Sequence, residues 1–284
     1  NGTRKMKLLV CIKQVMESGS EIKINDSGRW MKYSSTTRFE INKYDEYAIE
    51  EAILIKEKFD NVHIDVITVG PSRAEDALRR ALGMGADEAI HILDETQGYR
   101  PPVTTAGWIA DFAKDRNYDL ILTGIMSDDE MNGQTGPMIA QILNRPCAGT
   151  TIKEEIAADQ RTITIEREIE GGAKDVFQIA LPCVLTIQTG INSPRYPSLS
   201  KVLRAKKKTI DLILAQTLKE SLAKSGQPPE LHAMSFPQKT PLGVVWRAAP
   251  GRKRLRCWTY WSQNHWHNIG EENHDRHDRN YRRP

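Results

Sequence analysis

Long apolar runs are missing from this sequence: no stretch approaches the roughly 20 apolar residues that a membrane-spanning helix needs, so no membrane insertion is expected. Residues 1–7 lack the apolar core of a secretory signal. Met6 is placed as a start, with 1–5 as leader or appended residues. Cysteine is scarce. The four (Cys11, Cys147, Cys183 and Cys257) show no C-x-x-C spacing, which argues against a disulfide framework. Cys11 and Cys183 lie inside apolar runs, where a cysteine acts as a small buried hydrophobe. A reducing compartment is implied: the cytoplasm, or the mitochondrial matrix in a eukaryote. Catalytic signatures are also lacking. There is no G-x-S-x-G, H-E-x-x-H or paired-carboxylate arrangement, and His63 and His91 stand alone in or beside predicted strands. The glycine-containing loops carry no P-loop lysine. Cys257, His265, His267, His274 and His277 match no zinc module, so no catalytic residue and no metal ligand is assigned. An excess of basic charge is missing from the main body as well. Residues 219–284 hold 12 Lys+Arg against 6 Asp+Glu, so the net charge of +3 comes from the tail and gives no indication of nucleic acid.

What is present is the composition of a soluble globular protein, with 39% hydrophobic and 27% charged residues. Lys7–Val15 reads as a buried first strand, and Glu21–Asn42 as a hairpin excursion turning at Asp26-Ser27-Gly28. Asp45–Phe59 carries apolar residues at helical spacing. Strands at Ile64–Val69, Ala89–Leu93 and Asp119–Thr123 then alternate with helices at Arg73–Leu82, Thr104–Asp115 and Gly136–Leu143. That order predicts right-handed βαβ crossovers and a Rossmann-like, mainly parallel sheet with helices on both faces. Thr151–Ala157, Thr162–Ile169 and Asp175–Ile187 read as appended antiparallel strands, and Lys201–Leu214 as a basic helix. The domain is placed at 6–218. Residues 219–284 hold four of the six tryptophans and five of the seven histidines without apolar periodicity. They read as a poorly ordered tail, from a shifted reading frame or a divergent extension.

The strongest local signal is Gly124–Gly136 (GIMSDDEMNGQTG), which comes after a predicted strand and opens a predicted helix. In open α/β sheets that is where ligands bind. Gly133 and Gly136 would let backbone N–H groups approach a phosphate at the helix N-terminus, with Gln134 and Thr135 as added donors. The same residues also suit an ordinary strand-to-helix connection. Asn42 and Asp45, at the start of the first predicted helix, read first as N-caps, with a place in the same crevice as the alternative.

Several segments together resemble the beta subunit of electron transfer flavoprotein: KLLVCIKQV (7–15), INKYDEYAIEEA (41–52), ALGMGAD (81–87), GQTGPM (133–138), EREIEGG (166–172), LPCVLT (181–186) and INSPRYPSLSKVLRAKKK (191–208). The resemblance implies an electron-carrier subunit rather than an enzyme. It would pair with an alpha subunit that holds most of the redox FAD, accept electrons from flavin dehydrogenases such as acyl-CoA dehydrogenases, and pass them toward a quinone reductase. It implies AMP in this subunit, contacted at Cys11, Asn42, Asp45, Val69, Gly124, Gly133, Gln134 and Thr135. It also implies a dehydrogenase-recognition loop at 192–201, with Leu199 as anchor beside Arg195 and Tyr196, and places Arg167 and Glu168 near the flavin. Alternatives are a bifurcating subunit with FAD in the AMP cleft, and a nucleotide-sensing module. Three departures stand out: Gly133 where the family often has asparagine, Ser18 where some members have a flavin-facing tyrosine, and a tail unlike the family's alpha-wrapping arm.

Overall fold

The computed structural model describes residues 5–96, 98–218 and 230–236. The chain divides into two units, Asn1–Met234 and Ser235–Pro284, and every helix and strand among the described residues lies in the first. The expectations for 1–5, Lys5 apart, and for most of 219–284 fall on residues outside the described ones.

The first unit shows the predicted alternation. β1 (Met6–Cys11), β2 (Gln14–Met16) and β3 (Phe39–Ile41) lead into α1 (Lys43–Lys58). Next come β4 (Val62–Gly70), α2 (Glu75–Met84), β5 (Glu88–Leu93), α3 (Pro102–Ala113), β6 (Leu120–Gly124) and α4 (Thr135–Ile142). The remainder is β7 (Cys147–Ile156), β8 (Thr162–Glu168), β9 (Lys174–Ala180), β10 (Cys183–Ile187), α5 (Leu199–Lys207) and β11 (Asp211–Leu214). The main sheet runs β11-β5-β4-β1-β6-β10-β7-β8-β9. Its strands are parallel from β11 through β7, after which β8 and β9 turn antiparallel.

Side-chain alternation along the strands divides the core between the two faces of the sheet. In β1, Leu8 and Val10 join Ile49, Ile64, Leu78 and Leu122 on the α1/α2 face. Leu9 and Cys11 join Ile67, Trp108, Ile109, Phe112 and Ile121 on the α3/α4 face. A helix layer on each side explains why the central strands are apolar on both faces. The chain leaves β1 for β4 and β5 on one side, and returns to place β6 on β1's other side. This reversal opens a crevice at the carboxyl ends of β1, β4 and β6.

Four expectations need correction. The first strand ends at Cys11, because Ile12 N–H bonds to Ile67 O while Lys13 N–H turns to the Asp45 carboxylate; Gln14–Met16 then pairs with β3 in a separate two-stranded sheet. Asp175–Ile187 is not one appended strand. Pro182 cannot donate to a ladder, and Cys183–Ile187 beyond it lies between β6 and β7 in the parallel sheet. β7 begins at Cys147, earlier than predicted, and belongs to both regions, parallel to β10 first and antiparallel to β8 afterwards. The helix expected over Lys201–Leu214 ends at Lys207, and Asp211–Leu214 pairs with β5 as an edge strand. Here pairing along the free edge of β5 overrides the helix-forming composition upstream.

Candidate functional site

The crevice is organised by two side chains at the start of α1. Asp45 is buried and accepts from Lys13 N–H at 2.7 Å and from Gly124 N–H at 3.1 Å, so one carboxylate joins the exits of β1 and β6. Asn42 occupies the N-cap position, yet its side chain caps nothing. Its amide donates to Met126 O at 2.9 Å and its carbonyl accepts from Asp128 N–H at 3.0 Å. The N-cap reading is therefore corrected: Asn42 ties the 125–128 loop to α1, and Asp45 ties Lys13 and Gly124 to it. Burial pushes the Asp45 carboxyl up to about 7, against the pull of the Lys13 and Gly124 amides. Burial, then the Asp45 charge, pushes the Cys11 thiol far up, so Cys11 is an uncharged wall residue.

Two glycines are required by space. A Cβ on Gly124 would lie 2.4 Å from Asp45 Oδ1 and 2.7 Å from Tyr44 Cβ. One on Gly136 would lie 2.7 Å from both Thr123 Oγ1 and Thr186 Cγ2, so α4 approaches the sheet as closely as it does only with glycine there. Gly133 has φ +60, which reverses the loop just ahead of Gln134 and the first helical residue, Thr135.

Opposite this turn the loop is acidic, and Lys13 answers the charge. Its Nζ lies 2.8 Å from Asp129 Oδ1, 3.2 Å from Glu130 Oε1 and 3.3 Å from Ser127 Oγ. Burial works to lower the Lys13 pKa, and the two carboxylates outweigh it and raise it. The cavity bounded by these groups holds about 680 Å³. All eight residues assigned to nucleotide contact, Cys11, Asn42, Asp45, Val69, Gly124, Gly133, Gln134 and Thr135, line it. Its outer wall includes Trp30, Tyr33 and Arg73, with the Arg73 guanidinium 5.0 Å from the Tyr33 ring and 4.2 Å from Phe39. Sequence reasoning missed Lys13 and Arg73 because each reaches the cleft through contacts distant in the chain.

The loop at 192–201 is held elsewhere on α1. Asn192 Nδ2 donates to Tyr47 O at 3.0 Å and Glu51 Oε2 at 2.8 Å. Arg195 bridges the buried Glu50 (2.8 Å) and Glu57 (2.6 Å), whose hydrogen bonds keep the guanidinium firmly charged. Arg195 thus faces inward as an anchor, while Tyr196 and Leu199 project with 86% and 75% of their surface exposed. Leu203, one turn along α5 and also exposed, extends the same apolar stripe and was not anticipated. Arg167 pairs with Asp175 across β8 and β9 at 2.9 Å, and Glu168 is exposed beside it. With Gln188 and Gly171 both border a separate shallow hollow.

Residues 31–217 match the electron transfer flavoprotein domain family. The chain is 35% identical over 261 residues to electron transfer flavoprotein subunit beta of Bacillus subtilis, covering 87% of this chain and 94% of that one. It is 32% identical to the mitochondrial beta subunit of Arabidopsis thaliana, covering 84% and 93%. To the mouse beta subunit it is 30% identical, covering 80% and 91%.

The chain belongs to the electron transfer flavoprotein beta-subunit family. Family membership makes it a component of an electron carrier, with flavin involved in its work. The share of the chain matched by the Bacillus subunit is larger than residues 1–218 make up, so the similarity runs past Leu218 into the segment of divergent composition. Among the described residues no helix is long and apolar enough to cross a membrane.

Proposed function

We propose that this chain is the AMP-holding subunit of a heterodimeric electron transfer flavoprotein, redox-inactive by itself. Its alpha subunit would hold most of the FAD. The pair would collect electrons from flavin dehydrogenases of the acyl-CoA dehydrogenase type and deliver them toward a quinone reductase. The observation that carries this reading is convergence: eight residues scattered from Cys11 to Thr135 line one cavity at the point where the sheet reverses its strand order.

The residues fit a mononucleotide phosphate. Lys13 is engaged with Asp129 and Glu130, offsetting one of their two charges, so the phosphate is left to backbone amides. Gly133, with φ +60, lets those amides turn inward, and the start of α4 adds the positive end of its dipole. Gln134 and Thr135 supply side-chain donors. Asp45 and Asn42 hold the loop in place and need not touch the ligand. The group that carries electrons when bound is the FAD; the residues here anchor, orient and exclude water.

On this reading Leu199, Tyr196 and the exposed face of α5 form the dehydrogenase-docking surface, with Arg195 fixing the loop from behind. Arg167 and Glu168 lie on the antiparallel wing, which faces the alpha subunit and its flavin. The test is to co-purify the chain with its alpha subunit, denature the complex and identify what is released. One AMP and one FAD per heterodimer are expected. Two FAD and no AMP would favour a bifurcating subunit, and failure to associate with any alpha subunit would favour a nucleotide sensor.

A further inference from the structure

At the opposite end of the sheet from the cleft, three side chains with metal-binding atoms converge. His63 and Asp65 alternate onto the same face of β4, and Glu88 at the start of β5 is the register partner of Asp65. His63 Nε2 lies 3.0 Å from Asp65 Oδ1 and 3.8 Å from Glu88 Oε1, and all three ligand atoms fall within 4.8 Å of one another. Metal–ligand bonds of about 2.0–2.1 Å in a tetrahedral zinc site put ligand atoms about 3.3 Å apart. The observed separations bracket that spacing, and the one that must shorten involves Glu88, whose side chain is 69% exposed and free to rotate.

A second observation points to a missing partner. Asp65 is 2% exposed, and its Oδ1 receives no hydrogen bond among the described residues, although it is directed into the cluster. His63 Nε2, 3.0 Å away, makes no aligned hydrogen bond to it, so a cation between the two atoms would satisfy both. The surrounding groups orient the ligands as supporting residues do around metals. Tyr118 O–H donates to Asp65 Oδ2 at 2.6 Å, and Lys7 Nζ lies 3.1 Å from that same oxygen, so Oδ1 is left for a ligand. Asp87 Oδ2 lies 3.8 Å from His63 Nδ1, on the far side of the ring.

We propose that His63, Asp65 and Glu88 form a divalent transition-metal site of the zinc class, with water completing the coordination. The site lies at the amino-terminal ends of the strands, remote from the nucleotide cleft, and its role is structural: it would reinforce the pairing of β5 with β4 at its start. Mixed imidazole and carboxylate donors favour zinc over calcium or magnesium.

The test is titration of the chelator-treated full chain with cobalt(II), read by its visible absorption, and with zinc by calorimetry. Five of the seven histidines lie in residues 219–284, so the informative quantity is the difference between wild type and variants. Wild type should show an intense tetrahedral cobalt band that His63→Asn abolishes, with zinc affinity at that site at least about tenfold weaker. Glu88→Gln, at an exposed position that does not threaten folding, should weaken zinc similarly. Tyr118→Phe should weaken it about 10–100-fold, through loss of support to Asp65. A wild-type chain without the cobalt band, or His63→Asn or Glu88→Gln binding as tightly as wild type, would overturn the proposal.

Discussion

Asp45 is the residue on which the crevice turns. Its carboxyl is held at about 7 when folded and returns to the ordinary value near 3.8 when unfolded. The folded state therefore binds more protons than the unfolded state between roughly pH 4 and pH 7, and Asp45's contribution to stability falls as pH rises through that window. Glu154 and Glu51 act in the same direction, since burial pushes both carboxyls up, helped at Glu154 by the Glu51 charge and at Glu51 by the Glu50 charge. Asp45→Asn mimics the protonated form, so urea midpoints measured from about pH 4 to 8 should fall less steeply for the variant than for wild type. Equal slopes would show that Asp45 does not titrate in this range. Gly136 acts through space alone. Gly136→Ala should destabilise the chain by about 1–3 kcal/mol, as overpacking commonly does, because the new methyl meets Thr123 and Thr186. Denaturant unfolding checks this, and an unchanged midpoint would mean that α4 moves freely.

Among the elements, α1 carries the most. Its sixteen residues span about 24 Å. Its first turn holds the crevice through Asn42 and Asp45, while Glu50, Glu51 and Glu57 further along hold the 192–195 segment. One rigid helix thus fixes both the proposed nucleotide cradle and the proposed docking loop. Leu199→Ala should weaken productive docking, raising the apparent KM for the donor dehydrogenase about tenfold, as loss of an anchor residue does, with nucleotide content unchanged. Arg195→Ala should produce a smaller effect by loosening the loop, and the stopped-flow rate of electron acceptance would separate the two. An unaltered rate for Leu199→Ala would remove it from the docking surface. The sequence made much of this element legible, since Ala48, Ala52, Ile53 and Ile55 mark its buried face by period. It did not make legible that Asn42 spends its side chain on Met126 and Asp128, because an asparagine ahead of a helix satisfies the capping pattern equally well. The pairing of Arg195 with Glu50 was hidden for a similar reason: two charges 145 positions apart leave no local signal. The strand at Asp211–Leu214 was masked by the helix-forming run before it, and the break before β10 by apolar residues that continue across Pro182.

At the scale of the whole molecule, the order of strands arises from the alternation of apolar runs and amphipathic helices, and it places the cleft without reference to any single motif. Residues Gly124–Gly136 alone were compatible with a plain connection. The fold distinguishes this segment by bringing Cys11, Val69, Asn42 and Asp45 around it. On the proposed function, electron chemistry belongs to a flavin held largely by another chain, and this chain contributes a nucleotide anchor and a docking surface at different points on one scaffold. The most direct measurement is calorimetric titration of AMP into the nucleotide-stripped heterodimer, wild type and Gly124→Ala side by side. A Cβ at Gly124 would displace the Asp45 carboxylate, 2.4 Å away, that aligns the cradle. The prediction is one saturable AMP site per wild-type chain, weakened at least about tenfold, or 1.4 kcal/mol, in a variant that still unfolds cooperatively. AMP that fails to bind wild type, or that binds Gly124→Ala equally well, would contradict the assignment of this cleft.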